Sequence, residues 1–190
     1  MPSPQQIINV AKSGGDFTEI QEAIDSIEDA SPSKRYVIIV YPGTYSENIE
    51  MKDYITVRGV SISSVIRGTV LFKDSVSADC SLENIWVENG TSNKFPITIN
   101  CNSDTATVTI KDCQISAFWS TNAQVKGVFD IQRGILDIRR CFIYCNCSIN
   151  DTSVFQHTIY SLQGANVSVV TSYDCIHELV SSSTANDISI

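Results

Sequence analysis

What most constrains this chain is an apolar skeleton that returns at a fixed interval. Val108, Ile110, Cys113 and Ile115 form an alternating pair, a two-residue break and a second alternating pair. Leu136, Ile138, Cys141 and Ile143 repeat the pattern 28 residues later, and Cys80, Leu82, Ile85 and Val87 precede it by 28. An earlier copy reads Ile55, Val57, Val60 and Ile62, and a degraded later one begins at Val167 and Val169. Self-similarity at such a period denotes a repeat architecture and outranks any local motif. Strict alternation makes a half-buried strand, and a two-residue break that keeps the inward face on both sides is a sharp corner. The second break residue is Gly59, Asn84, Asp112 or Arg140 in turn. The first three are types that adopt left-handed backbone cheaply, as tight corners often require. Rungs of this kind, each closed by a longer excursion, stack into a right-handed single-stranded parallel β-helix, an all-β solenoid in which each rung contacts mainly its neighbours.

A chain of 190 residues with 43% hydrophobic content fits one domain with a substantial core. We divide it into an N-terminal cap region (1–35), rungs (36–180) and a polar tail (181–190). In the cap region, Ile7 to Val10 reads as a short strand. Phe17, Ile20, Ala23, Ile24 and Ile27 then fall at helical spacing, so an amphipathic helix is expected from Thr18 to about Glu28, stopped by Pro32. Thr18 and Gln21 stand at capping-box spacing. A solenoid exposes apolar rung edges at its ends, and this helix is placed to lid one of them. Asn89 to Lys94 and Cys145 to Ser153 are expected as protruding loops, and Ile188 and Ile190 are placed to dock on the last rung.

The formal net charge is −8. Nucleic-acid partners are disfavoured, because neutralising phosphates needs clustered Lys and Arg. A polyanion such as unmethylated pectate is a poor match unless calcium bridges the two. No apolar run approaches the roughly 20 residues that span a bilayer, and the opening M-P-S-P-Q-Q lacks the basic and apolar regions of a leader. A soluble protein of the virion or cytoplasm is expected. Seven cysteines, an odd number, with Cys113 and Cys141 at the repeated inward position, read as buried free thiols serving as small apolar fillers.

Gly15-Asp16-Phe17-Thr18-Glu19-Ile20-Gln21-Glu22-Ala23-Ile24, then Tyr36-Val37-Ile38-Ile39-Val40, then Gly43-Thr44-Tyr45-Ser46-Glu47-Asn48 together resemble the opening of pectin methylesterases within the pectin-lyase-like superfamily. The resemblance covers about the first third of the chain and implies the same β-helix with the same capping helix. The later motifs that carry the esterase chemistry, Q-D-T-L, D-F-I-F-G and L-G-R-P-W, are absent. The nearest string, Val128-Phe129-Asp130-Ile131-Gln132-Arg133, has its Phe before the Asp and no companion segment. Tyr45 and Glu47 match a structural portion of the pattern and receive no catalytic role.

No catalytic residue, metal ligand or cofactor is therefore assigned. Cys141, Cys145 and Cys147 do not match a paired-knuckle zinc spacing, and His157 and His177 have no local motif beside them. The candidate binding residues are Asp130, Arg133, Asp137 and Arg139, expected on one wall with Asp112 and Arg140, and the aromatic platforms Trp86 and Trp119. Alternation points Trp86 outward between inward Ile85 and Val87. Short rung arrays with this G-G-D-F-T opening are similar to those encoded by viruses. The expected function is a non-enzymatic structural or surface-binding β-helix of a capsid or virion, with other protein subunits and possibly glycans as partners. The alternative is a carbohydrate-active or carbohydrate-binding protein of the pectin-lyase-like type.

Overall fold

The computed structural model describes residues 6–89, 94–119, 125–147, 155–157, 159–161, 169–181 and 187–188. Among these residues nearly every element is a short strand, and the strands stack into three walls in which all pairings between named strands are parallel. The first wall has seven strands: Gln6–Val10, Tyr36–Val40, Ile55–Gly59, Cys80–Glu83, Thr107–Lys111, Ile135–Arg139 and Val169–Tyr173. The second has six, from Gly43–Tyr45 through Trp86–Glu88, Gln114–Trp119 and Phe142–Cys147 to Ile176–Ser181. The third has five, from Ile49–Glu50 through Ile97–Asn100 and Phe129–Arg133 to Ile159–Ser161. The chain visits the walls in that order on each rung, which makes the expected right-handed parallel β-helix. Gln6–Val10, from the cap region, already pairs with Tyr36–Val40 as part of the first wall.

The repeat becomes a register. Cys80, Val108 and Leu136 are direct neighbours across the first wall, as are Leu82, Ile110 and Ile138, and all six are buried. The corner that follows is a column of left-handed residues, Asn84, Asp112, Arg140 and Asp174, with φ of 49°, 55°, 51° and 53°. Arg140 is the least suited of these types to such backbone, and its guanidinium is anchored to Asp112 through Nε at 2.7 Å and Nη2 at 2.9 Å.

Two copies depart from the pattern. Gly59 is not in the left-handed region; it lies flat under the rung above, where an added Cβ would run into the Asn84 carbonyl oxygen. The chain therefore leaves the first wall later, and Val60 and Ile62, expected inward, are 50% and 51% exposed. Ser64 and Ile66 take the inward places, with the Ser64 hydroxyl donating to the Val40 carbonyl at 2.7 Å. In the last copy Val170 stands opposite Leu136, a longer interval of 34 residues, and Val169, expected opposite Ile138, stands opposite Ile135; Val167 lies outside the described residues.

The helix is shorter than expected, Ile20–Asp25, and it buries Ile20, Ala23 and Ile24. Thr18 does not cap it, since Glu19 occupies the N-cap and offers no side-chain bond. Instead the Glu47 carboxylate, from the rung below, accepts the N–H groups of Ile20 and Gln21 at 2.9 Å each. At the other end Lys52 Nζ donates to the Ile24 carbonyl at 3.0 Å. Opposite charges thus face the two ends of the helix with the sense its dipole favours. Tyr45 is wholly buried beside this cap, donating to the Tyr41 carbonyl at 3.0 Å.

Segments that leave the rungs form a small sheet of their own, in the order Val125–Lys126, Phe155–His157, Asp187–Ile188. Ile188 of the tail therefore pairs with this side sheet through His157, not with the last rung; Ile190 lies outside the described residues. Among the described residues no helix is long and apolar enough to cross a membrane.

Candidate binding groove on the first wall

Because strand side chains alternate, the residues between the inward positions of the first wall form outward columns running along the solenoid axis. One column is Thr56, Ser81, Thr109, Asp137 and Thr171. The next is Arg58, Glu83, Lys111, Arg139 and Tyr173. Thr56, Ser81, Thr109 and Asp137 of the first column and Glu83 and Arg139 of the second line a groove of about 390 Å³ that crosses four rungs and is flanked by Arg35, Tyr54 and Asp79 where the chain enters the strands. Thr107, on the rung that holds Thr109, completes its floor.

The groove is polar and internally paired. The hydroxyls of Thr56 and Ser81 bond to each other at 2.7 Å. Arg58 bonds Glu83 through Nε at 2.9 Å and Nη2 at 2.8 Å. Arg35 lies 3.3 Å from the Asp79 carboxylate and against the Tyr54 ring, 5.3 Å from its centroid. Arg139 holds Asp137 through Nε, at 3.1 and 3.0 Å from the two oxygens, and through Nη2. The Asp137 carboxylate pushes the Arg139 guanidinium above its usual pKa. Lys111 turns to Asp112 at 3.8 Å. The hydroxyls of Thr107 and Thr109, at the centre, bond to no other group among the described residues.

The candidate residues read from the sequence divide between walls. Asp137 and Arg139 line the groove. Asp130 and Arg133 sit on the third wall, in Phe129–Arg133, because the excursion after the second wall brings that strand round to another face. There Arg133 Nε bonds Asp104 at 2.6 Å. Asp130 Oδ2 accepts from Gln132 Nε2 at 2.9 Å, while its Oδ1 is buried without a partner among the described residues. Asp112 and Arg140 lie at the corner. Arg140 beside Asp112 holds that carboxyl below its usual range, ahead of the smaller effect of Lys111.

Trp86 points outward as expected, half-buried on the second wall, and its indole N–H donates to the Ser116 hydroxyl at 3.2 Å. Trp119 is no platform. Ile115, Ala117 and Trp119 share one parity, so the indole is driven inward, where it is 3% exposed. Its N–H donates to the Gly127 carbonyl at 3.1 Å, and its ring meets Phe95 edge-on with centroids 5.3 Å apart. Cys141 and Cys145 are likewise core residues. The side chains of Cys147, His157 and His177 lie outside the described residues.

Neither a protein-family model nor a curated protein sequence matches this chain. Solved structures do. The pectin methylesterase from Aspergillus niger in deglycosylated form aligns over 95% of this chain and 69% of its own, with a TM-score of 0.52 and 16% identity. Pectin methylesterase PemA from Erwinia chrysanthemi aligns over 97% of this chain and 68% of its own, with a TM-score of 0.52 and 13% identity. The chain has the pectin-lyase-like fold. At these identities the likeness is one of fold, and it extends the resemblance seen in the first third of the sequence to almost the whole chain. A pectin-lyase-like solenoid can carry different sites on its walls, so activity has to be argued from the groove itself.

Proposed function

We propose that this protein is a surface-binding β-helix that holds an extended, hydroxyl-rich chain, a glycan, in the groove of the first wall. The observation that carries this reading is the four-rung groove whose floor is a column of Ser and Thr hydroxyls between fixed ion pairs. Rungs repeat at about 4.8 Å, so four of them present about 14 Å of evenly spaced donors and acceptors along the axis. A polymer with regularly spaced hydroxyls can match such an array, and the rigid ladder beneath it limits the ordering needed on binding. The carbohydrate-related fold agrees with this reading. Each carboxylate lining the groove, Asp79, Glu83 and Asp137, is engaged by an arginine, an arrangement suited to orienting a ligand.

Titration calorimetry and a glycan array test the proposal, with Ser81→Ala and Thr109→Val as variants. Thr109→Val keeps the branched strand side chain and deletes one hydroxyl. A lost hydrogen bond of about 1 kcal/mol corresponds to roughly fivefold weaker binding for each variant. Absence of any glycan ligand, or a ligand whose affinity ignores both substitutions, refutes the groove as the binding site. A virion setting is proposed from the sequence resemblance. Co-sedimentation with purified particles is the expected result, and absence from them removes that setting without touching the groove.

A further inference from the structure

We infer that the groove selects an uncharged polysaccharide and rejects polyuronates; this rests on the proposed glycan site. The reason is its closed charge balance. Arg35, Arg58 and Arg139 are matched one to one by Asp79, Glu83 and Asp137. The other cations nearby are also engaged: Lys111 by Asp112, and Arg140 by the same carboxylate through two bonds. Among the described residues, the cations that line the groove, Arg35 and Arg139, therefore each face the ligand with their own anion beside them. A uronate carboxylate approaching Arg139 meets Asp137, and one approaching Arg35 meets Asp79. Like charges brought together in this way discriminate strongly against the wrong partner. The field of the whole chain acts in the same direction, since the net charge is −8.

A neutral sugar encounters none of this repulsion. It needs donors and acceptors, and each ion pair retains both, because a carboxylate has lone pairs and a guanidinium N–H groups beyond those used in the pair. The Thr107 and Thr109 hydroxyls add a donor and an acceptor apiece at the centre of the groove. The pairs also hold the long arginine side chains in place before the ligand arrives.

The test is affinity at low and moderate salt, in chelator-containing buffer, for neutral hexasaccharides of xylose, mannose, glucose and galactose, for hexagalacturonate and for the hexamer of glucosamine. At least one neutral hexasaccharide should bind, with an affinity that changes less than twofold between the two salt concentrations. Hexagalacturonate should bind at least tenfold more weakly. Asp137→Asn, which leaves Arg139 without its anion, should raise hexagalacturonate affinity severalfold in a salt-sensitive manner. Asp79→Asn does the same for Arg35 at an exposed pair and keeps the test readable should Asp137→Asn fail to fold. Preference of the wild-type protein for hexagalacturonate, or for the cationic glucosamine oligomer alone, overturns the inference while leaving a glycan site in place. Binding of none of the oligosaccharides overturns the inference together with the proposed function.

Discussion

Glu47→Ala should loosen the N-terminal cap without disturbing the rungs. The wild-type carboxylate accepts two backbone N–H groups, those of Ile20 and Gln21, at 2.9 Å in a partly buried position. These are among the N–H groups that a helix cannot satisfy internally. A hydrogen bond to a charged acceptor contributes roughly 1.5–3 kcal/mol when protected, and loss of an N-cap costs about 0.5–2. Glu47 is half-exposed, so water can replace part of what is lost, and we expect about 2 kcal/mol. For a domain of this size that is a fall of about 4–8 °C in the melting midpoint. Glu47→Gln keeps one carbonyl acceptor and should lose about half as much. Hydrogen exchange is the sharper assay, because opening of the cap is a local event in a solenoid. The Ile20 and Gln21 amides should exchange at least tenfold faster in Glu47→Ala, while Leu82, Ile110 and Ile138 in the first wall stay unchanged. Unaltered exchange at Ile20 and Gln21, or a midpoint within 1 °C of wild type, would refute the assignment of Glu47 as the cap.

Three further outcomes follow from the rungs. Gly59→Ala should destabilise by at least about 2 kcal/mol in urea unfolding, because the added methyl meets the Asn84 carbonyl of a rung that cannot retreat. Arg140→Gly relieves a left-handed arginine and removes the ion pair together. By NMR titration the Asp112 pKa, lowered in the wild type chiefly by Arg140, should rise toward the ordinary 3.8. The stabilisation this pair contributes is present above the unfolded carboxyl pKa and is lost as pH falls through the lower folded value. The variant should therefore show a flatter acid limb of stability. Of the cysteines with described side chains, Cys175 should react with a thiol reagent in the native state. Cys80, Cys101, Cys113, Cys141 and Cys145 should react only on unfolding, since all are buried and burial pushes Cys101 up to about 11.

Much of this architecture is legible in the residues because the repeat is a physical register. Val108 and Leu136, 28 residues apart, stand opposite each other on two hydrogen-bonded strands. Where the period fails, a specific contact explains it. Gly59 looked like a corner because glycine tolerates any φ, but a close approach of Asn84 requires glycine for the opposite reason, lack of a Cβ. Thr18 had the spacing of a cap, and a residue from another rung, Glu47, took the place; no local pattern reports a partner 27 residues away.

The groove was half readable. Asp137 and Arg139 are candidates by residue type, and Ser81, Glu83, Thr56 and Arg58 occupy the same outward positions of aligned copies. Rung stacking alone groups Asp130 and Arg133 with them, and the path of the chain puts them on another wall. The parity of Ile115, carried along the strand through Ala117, places Trp119 inward. The hydroxyl floor is not legible in the sequence, because threonine and serine in strands are ordinary surface residues until the stacking aligns them.

The most direct test is an NMR titration of the wild-type protein with the tightest-binding neutral oligosaccharide, read at backbone amides. Shifts should concentrate at 54–58, 79–83, 107–111 and 135–139, the rungs that line the groove, and should diminish in Thr109→Val. Shifts centred instead on the second wall around Trp86 or on the third wall around Asp130, or a saturating ligand that leaves these four segments unmoved, would contradict a binding site on the first wall.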